Sequence, residues 1–258
     1  MKGFSVLLRK ELAEAWRTRR LPLVVILFVL IGLTSPLLAK FTPEILKLAL
    51  GDQAGSFPIP SADATAAVAQ LQKNLGQLGA LAAIALAMGA VSGELDKGTA
   101  ALVLAQPVDR SAFLMAKLAS IGIVLAVATL LATAVAWVYT VILFGAVPVG
   151  GWLVLFSLNW LALFVWAALT VWASAATGST TAAAGLGFVA MIVISLAAVV
   201  PALERLLPSG LATPASLLAI GATAGLDAAK LATAVAGSLV LVAAAAAGSV
   251  LAFRRREL

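Results

Sequence analysis

The chain has 258 residues, of which 63% are hydrophobic and 11% charged, against roughly 25% charge in soluble domains, so a soluble globular protein is excluded and an integral membrane protein is expected. A net charge of +6 would suggest nucleic acid in a soluble protein, but here the basic residues cluster at the two termini and beside apolar stretches, where they set orientation and meet anionic lipid headgroups, so no nucleic-acid partner is expected. There is no Cys and no His, which removes disulfides, thiolate chemistry and the commonest metal ligand.

Residues 2–19 place Phe4, Leu8 and Leu12 four apart, joined by Leu7 and Ala15, with Lys2, Arg9, Lys10, Glu14 and Arg17 elsewhere. That spacing predicts an amphipathic helix. Its basic face and Trp16 suit a helix lying in the headgroup plane; an ordinary N-terminal helix is the alternative. A span needs about 20 apolar residues to cross a hydrocarbon core about 30 Å thick. Six stretches qualify or nearly do, at 21–39, 75–91, 118–144, 152–174, 182–201 and 231–253, and none contains Asp, Glu, Lys or Arg. The first reads as an uncleaved anchor because no small-residue cleavage site accompanies it. The expected fold is therefore all-α: a single transmembrane domain over 1–258, with six transmembrane helices and an N-terminal interfacial helix.

Basic residues give the topology. With the N-terminus inside, twelve of the 17 Lys and Arg fall in inner segments, and five (Lys40, Lys47, Lys73, Arg205, Lys230) fall outside. The positive-inside rule then places both termini in the cytoplasm of a multi-pass protein of the inner or plasma membrane. The external segment 40–74 contains Pro43, Gly51, Gly55, Pro58 and Pro60 before the helix-compatible run 62–74. It reads as a small ordered cap that either contacts substrate or an external or periplasmic partner, or simply connects. Trp137, Tyr139 and Trp152 mark the outer interface on this reading, Trp172 the inner one, and Trp160 and Trp166 pack within the fourth helix. The second external segment, 202–230, carries a short apolar run at 215–226, a re-entrant or interfacial candidate, with a weak GxxxG pair at Gly221 and Gly225.

The loop 92–117 holds the main inner interruption. Ser92-Gly-Glu-Leu-Asp-Lys-Gly-Thr99 has the glycine spacing of a phosphate-binding loop, but Thr stands where the Lys is required and the segment follows a membrane helix instead of a strand. Nucleotide binding is not expected there. The run 99–104, stopped at Gln106-Pro107, is compatible with a short helix whose start is complemented by Glu94 and Asp96. Asn159, Thr129, Thr133 and Thr170 are neutral polar groups expected to bond to backbone or across helices. No residue set supplies an enzyme site, so the chain is expected to be non-catalytic, and the lack of ionisable groups in the apolar stretches disfavours a proton-driven transporter.

Lys10-Glu11-Leu12 with Trp16-Arg17-Thr18-Arg19, then Ser92 to Thr99 followed by Pro107-Val-Asp-Arg110 and Lys117, then Phe253-Arg-Arg-Arg-Glu-Leu258, together resemble the ABC-2 type transporter permeases. The motifs are individually short; their order around six spans carries the resemblance. It looks closer to the permease of nitrous oxide reductase maturation and to drug-export permeases than to permeases fused to an ATPase. The resemblance implies a membrane subunit of an exporter, paired with a second copy and driven by a separate ATP-binding cassette ATPase that holds ATP and Mg, with no cofactor in this chain. It implies that the 92–117 loop is a coupling loop, with Glu94, Asp96, Gly98, Thr99 and Arg110 contacting or orienting the ATPase, and that Lys10, Glu11, Trp16 and Arg17 belong to the interfacial helix that meets membrane lipid. Two other readings stay open: a membrane scaffold or assembly factor, and an ion-coupled secondary transporter.

Overall fold

A computed structural model describes residues 3–50, 61–99 and 108–254. Gly51, Gly55, Pro58 and Pro60, the run 100–107 and Arg255-Arg256 lie outside the described residues. The described chain is all helical: α1 (Phe4–Arg17), α2 (Arg20–Leu50), α3 (Ala64–Asn74), α4 (Ala80–Ala87), α5 (Ser92–Asp96), α6 (Arg110–Phe144), α7 (Val149–Thr177), α8 (Thr180–Ala197), α9 (Pro201–Glu204), α10 (Ala212–Ala219) and α11 (Ala228–Arg254). A π-helical turn, Leu75–Gly79, joins α3 to α4, so that the stretch Ala64–Asp96 is one candidate span. With α2, α6, α7, α8 and α11 it makes six helices long and apolar enough to cross a membrane.

Five of the six helices outrun the apolar stretches that announce them, while α8 stops at Ala197, short of the end of 182–201. α2 continues through Lys40 to Leu50, over Pro36 and Pro43, and α6 begins seven residues before Lys117. Helical hydrogen bonding has no reason to stop where hydrocarbon stops; polar residues continue a helix as readily as apolar ones.

The core lies where α6 and α7 meet α2, α4 and α11. α7 has 61% of its most apolar window buried and α8 only 11%, so α7 is the central helix and α8 a peripheral one. α2 and α6 approach at Gly32, where an added Cβ would collide with the Ala132 carbonyl oxygen. Thr133, Thr170 and Asn159 donate to the carbonyls four residues back, at 2.7, 2.8 and 2.8 Å, as expected of neutral polar groups in an apolar setting; the Thr129 hydroxyl is buried with no partner among the described residues.

Two sequence expectations change. Trp152 is buried in the core with Leu211, Ala215 and Ala219, so it is a packing residue and not an interface marker: the returning segment that carries α10 packs over the start of α7. Gly221 ends the turn after α10 and Gly225 closes a short 3-10 turn, so the pair shares no helix face. α10 itself is shorter and earlier than the run 215–226 suggested, and Gln72 Nε2 on α3 donates to its Ala212 carbonyl at 3.1 Å. Trp160 does pack within α7, stacked on Phe164 at 5.5 Å with its Nε1 donating to the Gly122 carbonyl at 2.9 Å, and Trp166 is buried.

Candidate functional site: a charged platform at one end of the bundle

Glu94 lies in the first turn of α5 and Lys117 near the start of α6, and the fold brings both against α1. Lys117 is a buried cation at 3% exposure. Its Nζ donates to Glu94 Oε1 at 2.8 Å and to Glu11 Oε1 at 3.0 Å. Lys10 donates to the same Glu94 oxygen at 2.7 Å and to Glu11 at 3.0 Å, and pairs with Glu14 at 3.2 Å. Carboxylate oxygens of Glu11, Glu14 and Glu94 lie within 4.8 Å of one another, and the two ammonium groups offset that repulsion. The second Glu94 oxygen, Oε2, is buried with no hydrogen-bond partner among the described residues.

A buried charge persists only when paired and hydrogen-bonded, so this cluster fastens three elements distant in sequence: α1, α5 and α6. Burial works against the Lys10 charge, but the hydrogen bond to Glu94 and the negative charge of Glu11 outweigh it and hold Lys10 above the usual lysine range. A raised folded-state value means that its stabilising contribution is fully present below the unfolded value of about 10.4 and is lost only as pH rises through the folded one.

Apolar and hydroxyl contacts extend the platform. Lys117 Nζ sits 4.8 Å from the centre of the Phe113 ring, and Phe113 stacks on Phe253 of α11 at 5.5 Å. The Arg110 guanidinium reaches the Arg254 carbonyl at 3.4 Å, a cation at a helix C-terminus. On the other side, Ser174 Oγ of α7 accepts from the backbone N–H of Val91 and Ser92 at 3.2 and 3.0 Å, and Ser92 Oγ shares a 2.9 Å hydrogen bond with Thr180 Oγ1 of α8. Gly98, at φ 67°, follows α5 in the left-handed region, which glycine enters without steric cost. Asp96, Gly98 and Thr99 are exposed, as is Arg110. The Thr99 hydroxyl donates back to the Glu94 carbonyl at 3.3 Å.

Of the residues singled out in sequence, Lys10, Glu11 and Glu94 meet in one cluster, whereas Asp96, Gly98, Thr99 and Arg110 stand at its surface. Trp16, at 65% exposure, and Arg17 face away. The amphipathic reading of α1 put Lys10 and Glu14 on the polar face of a helix lying in the headgroup plane; in the structure both turn toward α5 and α6, and Leu7 and Ala15 bury beside them. In sequence Lys117 read as the end of the polar loop 92–117 and as part of the resemblance; the structure instead buries it within α6. Its spacing of four from Phe113 and from Ile121, both buried, is the signal that puts it on the inward face of a helix already begun.

A cleft of about 460 Å³ opens beside the cluster, between α1, α4, α5 and α6. Six candidate spans, an N-terminal helix docked by ion pairs and a short helix held beneath it define a multi-pass helical membrane protein with a fastened platform at one end. Residues 5–258 match the family described as ABC-2 family transporter protein, and the chain belongs to that family. The chain is also similar to a protein of Bacillus subtilis (strain 168) named "Uncharacterized transmembrane protein YxlG", 32% identical over 120 residues, a match that covers 45% of this chain and 46% of that one.

Proposed function

We propose that this chain is the non-catalytic membrane subunit of an ATP-driven exporter, two copies of which form the substrate path while a separate cytoplasmic ATPase binds ATP and Mg. Export is the direction the resemblance implies. α5 and the loop that follows it act as the coupling surface: Asp96, Gly98, Thr99 and Arg110 meet the ATPase, and Glu94 orients them. The observation that carries this reading is the Lys10–Glu11–Glu94–Lys117 cluster, because a docking helix can transmit force only if it is fastened to what it moves. Both termini lie in the cytoplasm, a placement supported by the distribution of basic residues. The second copy is supported by α8, which buries only Ala183 and Gly187 fully against its own chain.

Co-purification with the ATPase tests the assignment. Asp96→Arg and Thr99→Glu at the exposed tip should leave thermal unfolding of the isolated chain unchanged and cut both complex recovery and ATP turnover about tenfold, the effect of about 1.4 kcal/mol. Full recovery and turnover in both variants would mean that the ATPase docks elsewhere.

A further inference from the structure

The cleft beside the charged cluster does not end there. A second recess of about 420 Å³ runs between the first turns of α2 and the span-two helix, walled by Leu23, Leu27, Ala82 and Ala85. Arg20, Leu86, Gly89 and Gly93 line both recesses, which therefore form one hollow with a charged chamber and an apolar slot. From Arg20 to Leu27 the slot follows α2 for about 10 Å at 1.5 Å per residue. Leu23 is 64% exposed, so the slot is open along its outer side.

Charge in the chamber is unbalanced. Its lining includes four cations, Lys10, Arg20, Lys97 and Lys117, against the carboxylates of Glu11, Glu14 and Glu94. Lys10 and Lys117 are taken up by those carboxylates. Arg20 and Lys97 make no ion pair among the described residues. One unit of positive charge is left over, at the mouth of an apolar slot.

We propose that this hollow binds one molecule of an anionic phospholipid, its phosphate between Arg20 and Lys97 and one acyl chain in the slot between α2 and α4. A guanidinium offers paired donors to a phosphodiester, and an ammonium adds a point charge. A single net negative charge neutralises the chamber. A choline headgroup would carry a cation back into it, and so is disfavoured. The site does not depend on the ATPase, and its walls are α1, α2, α4, α5, α6 and the first residue of α8, Thr180, so the bound lipid braces the platform itself.

Native mass spectrometry of the delipidated full chain in detergent, titrated with phosphatidylglycerol, phosphatidylcholine or glycerol 3-phosphate, tests this. Phosphatidylglycerol should be retained at least tenfold more tightly than phosphatidylcholine and should raise the thermal midpoint, and glycerol 3-phosphate should not be retained. The R20Q/K97Q variant changes two exposed side chains and should fold as the native chain does, while losing the preference for phosphatidylglycerol. Leu86→Trp, which fills the slot and leaves the charges in place, should weaken phosphatidylglycerol as well. Three results would each overturn the proposal: equal retention of the two lipids, an R20Q/K97Q variant that keeps the preference, or glycerol 3-phosphate bound as tightly as the lipid, which would make this a site for a soluble anion.

Discussion

Lys117 carries its charge where almost no solvent reaches it, held between two carboxylates and above an aromatic face. Removing one partner of a buried ion pair strands the other, which costs about 3 kcal/mol, whereas removing both costs less than the sum of the two single changes. Lys117→Met should therefore lower the thermal stability of the purified chain by about that amount, and the Lys117→Met/Glu94→Gln double variant should recover part of the loss; strictly additive unfolding midpoints would show that the pair does not act as one. The residues of this cluster are 23, 84 and 106 positions apart, which explains why each was visible in sequence as a charge and none as part of a constellation. Local spacing reports a helix face. It does not report which other helix that face meets.

At the level of elements, the apolar runs announced all six spans because a continuous apolar run of about 20 residues satisfies its backbone in hydrocarbon within itself only as a helix. Their ends were not legible. Lys40 to Leu50 in α2 and Arg110 to Lys117 in α6 are polar or mixed, and nothing in their hydropathy separates a continued helix from a loop. Helix contacts were equally hidden, since within a bilayer close packing, and not hydrophobicity, selects neighbours. Gly32 illustrates this: only the structure shows that it admits the Ala132 backbone. Gly32→Ala forces α2 away from α6 and should cost about 1–3 kcal/mol, as overpacking does. Gly150→Ala, at a helical position with open space around it, should be neutral or slightly stabilising. Paired thermal unfolding of the two variants distinguishes a packing effect from a general intolerance of alanine.

For the molecule as a whole, orientation is the largest statement made from sequence, and the absence of cysteine makes it simple to check. Ser61 and Thr99 flank the second span and both are exposed. In intact cells a membrane-impermeant maleimide should label Ser61→Cys and not Thr99→Cys, and inverted vesicles should give the reverse; the opposite pattern would place the platform outside the cell. α6 extends the same geometry across the bilayer. Its 35 residues make a rod about 52 Å long through a core about 30 Å thick, uninterrupted by proline and touching α2 backbone to backbone at Ala132. Ala132, where the α2 backbone comes close at Gly32, divides that rod into two arms. The arm from Arg110 is about 33 Å and the arm to Phe144 about 18 Å. If α6 pivots there as one rigid body, a displacement of ~2 Å at the charged end returns as ~1 Å in the opposite sense at the far end; spin labels on the two ends would then move in antiphase, and labels that move together would rule the pivot out.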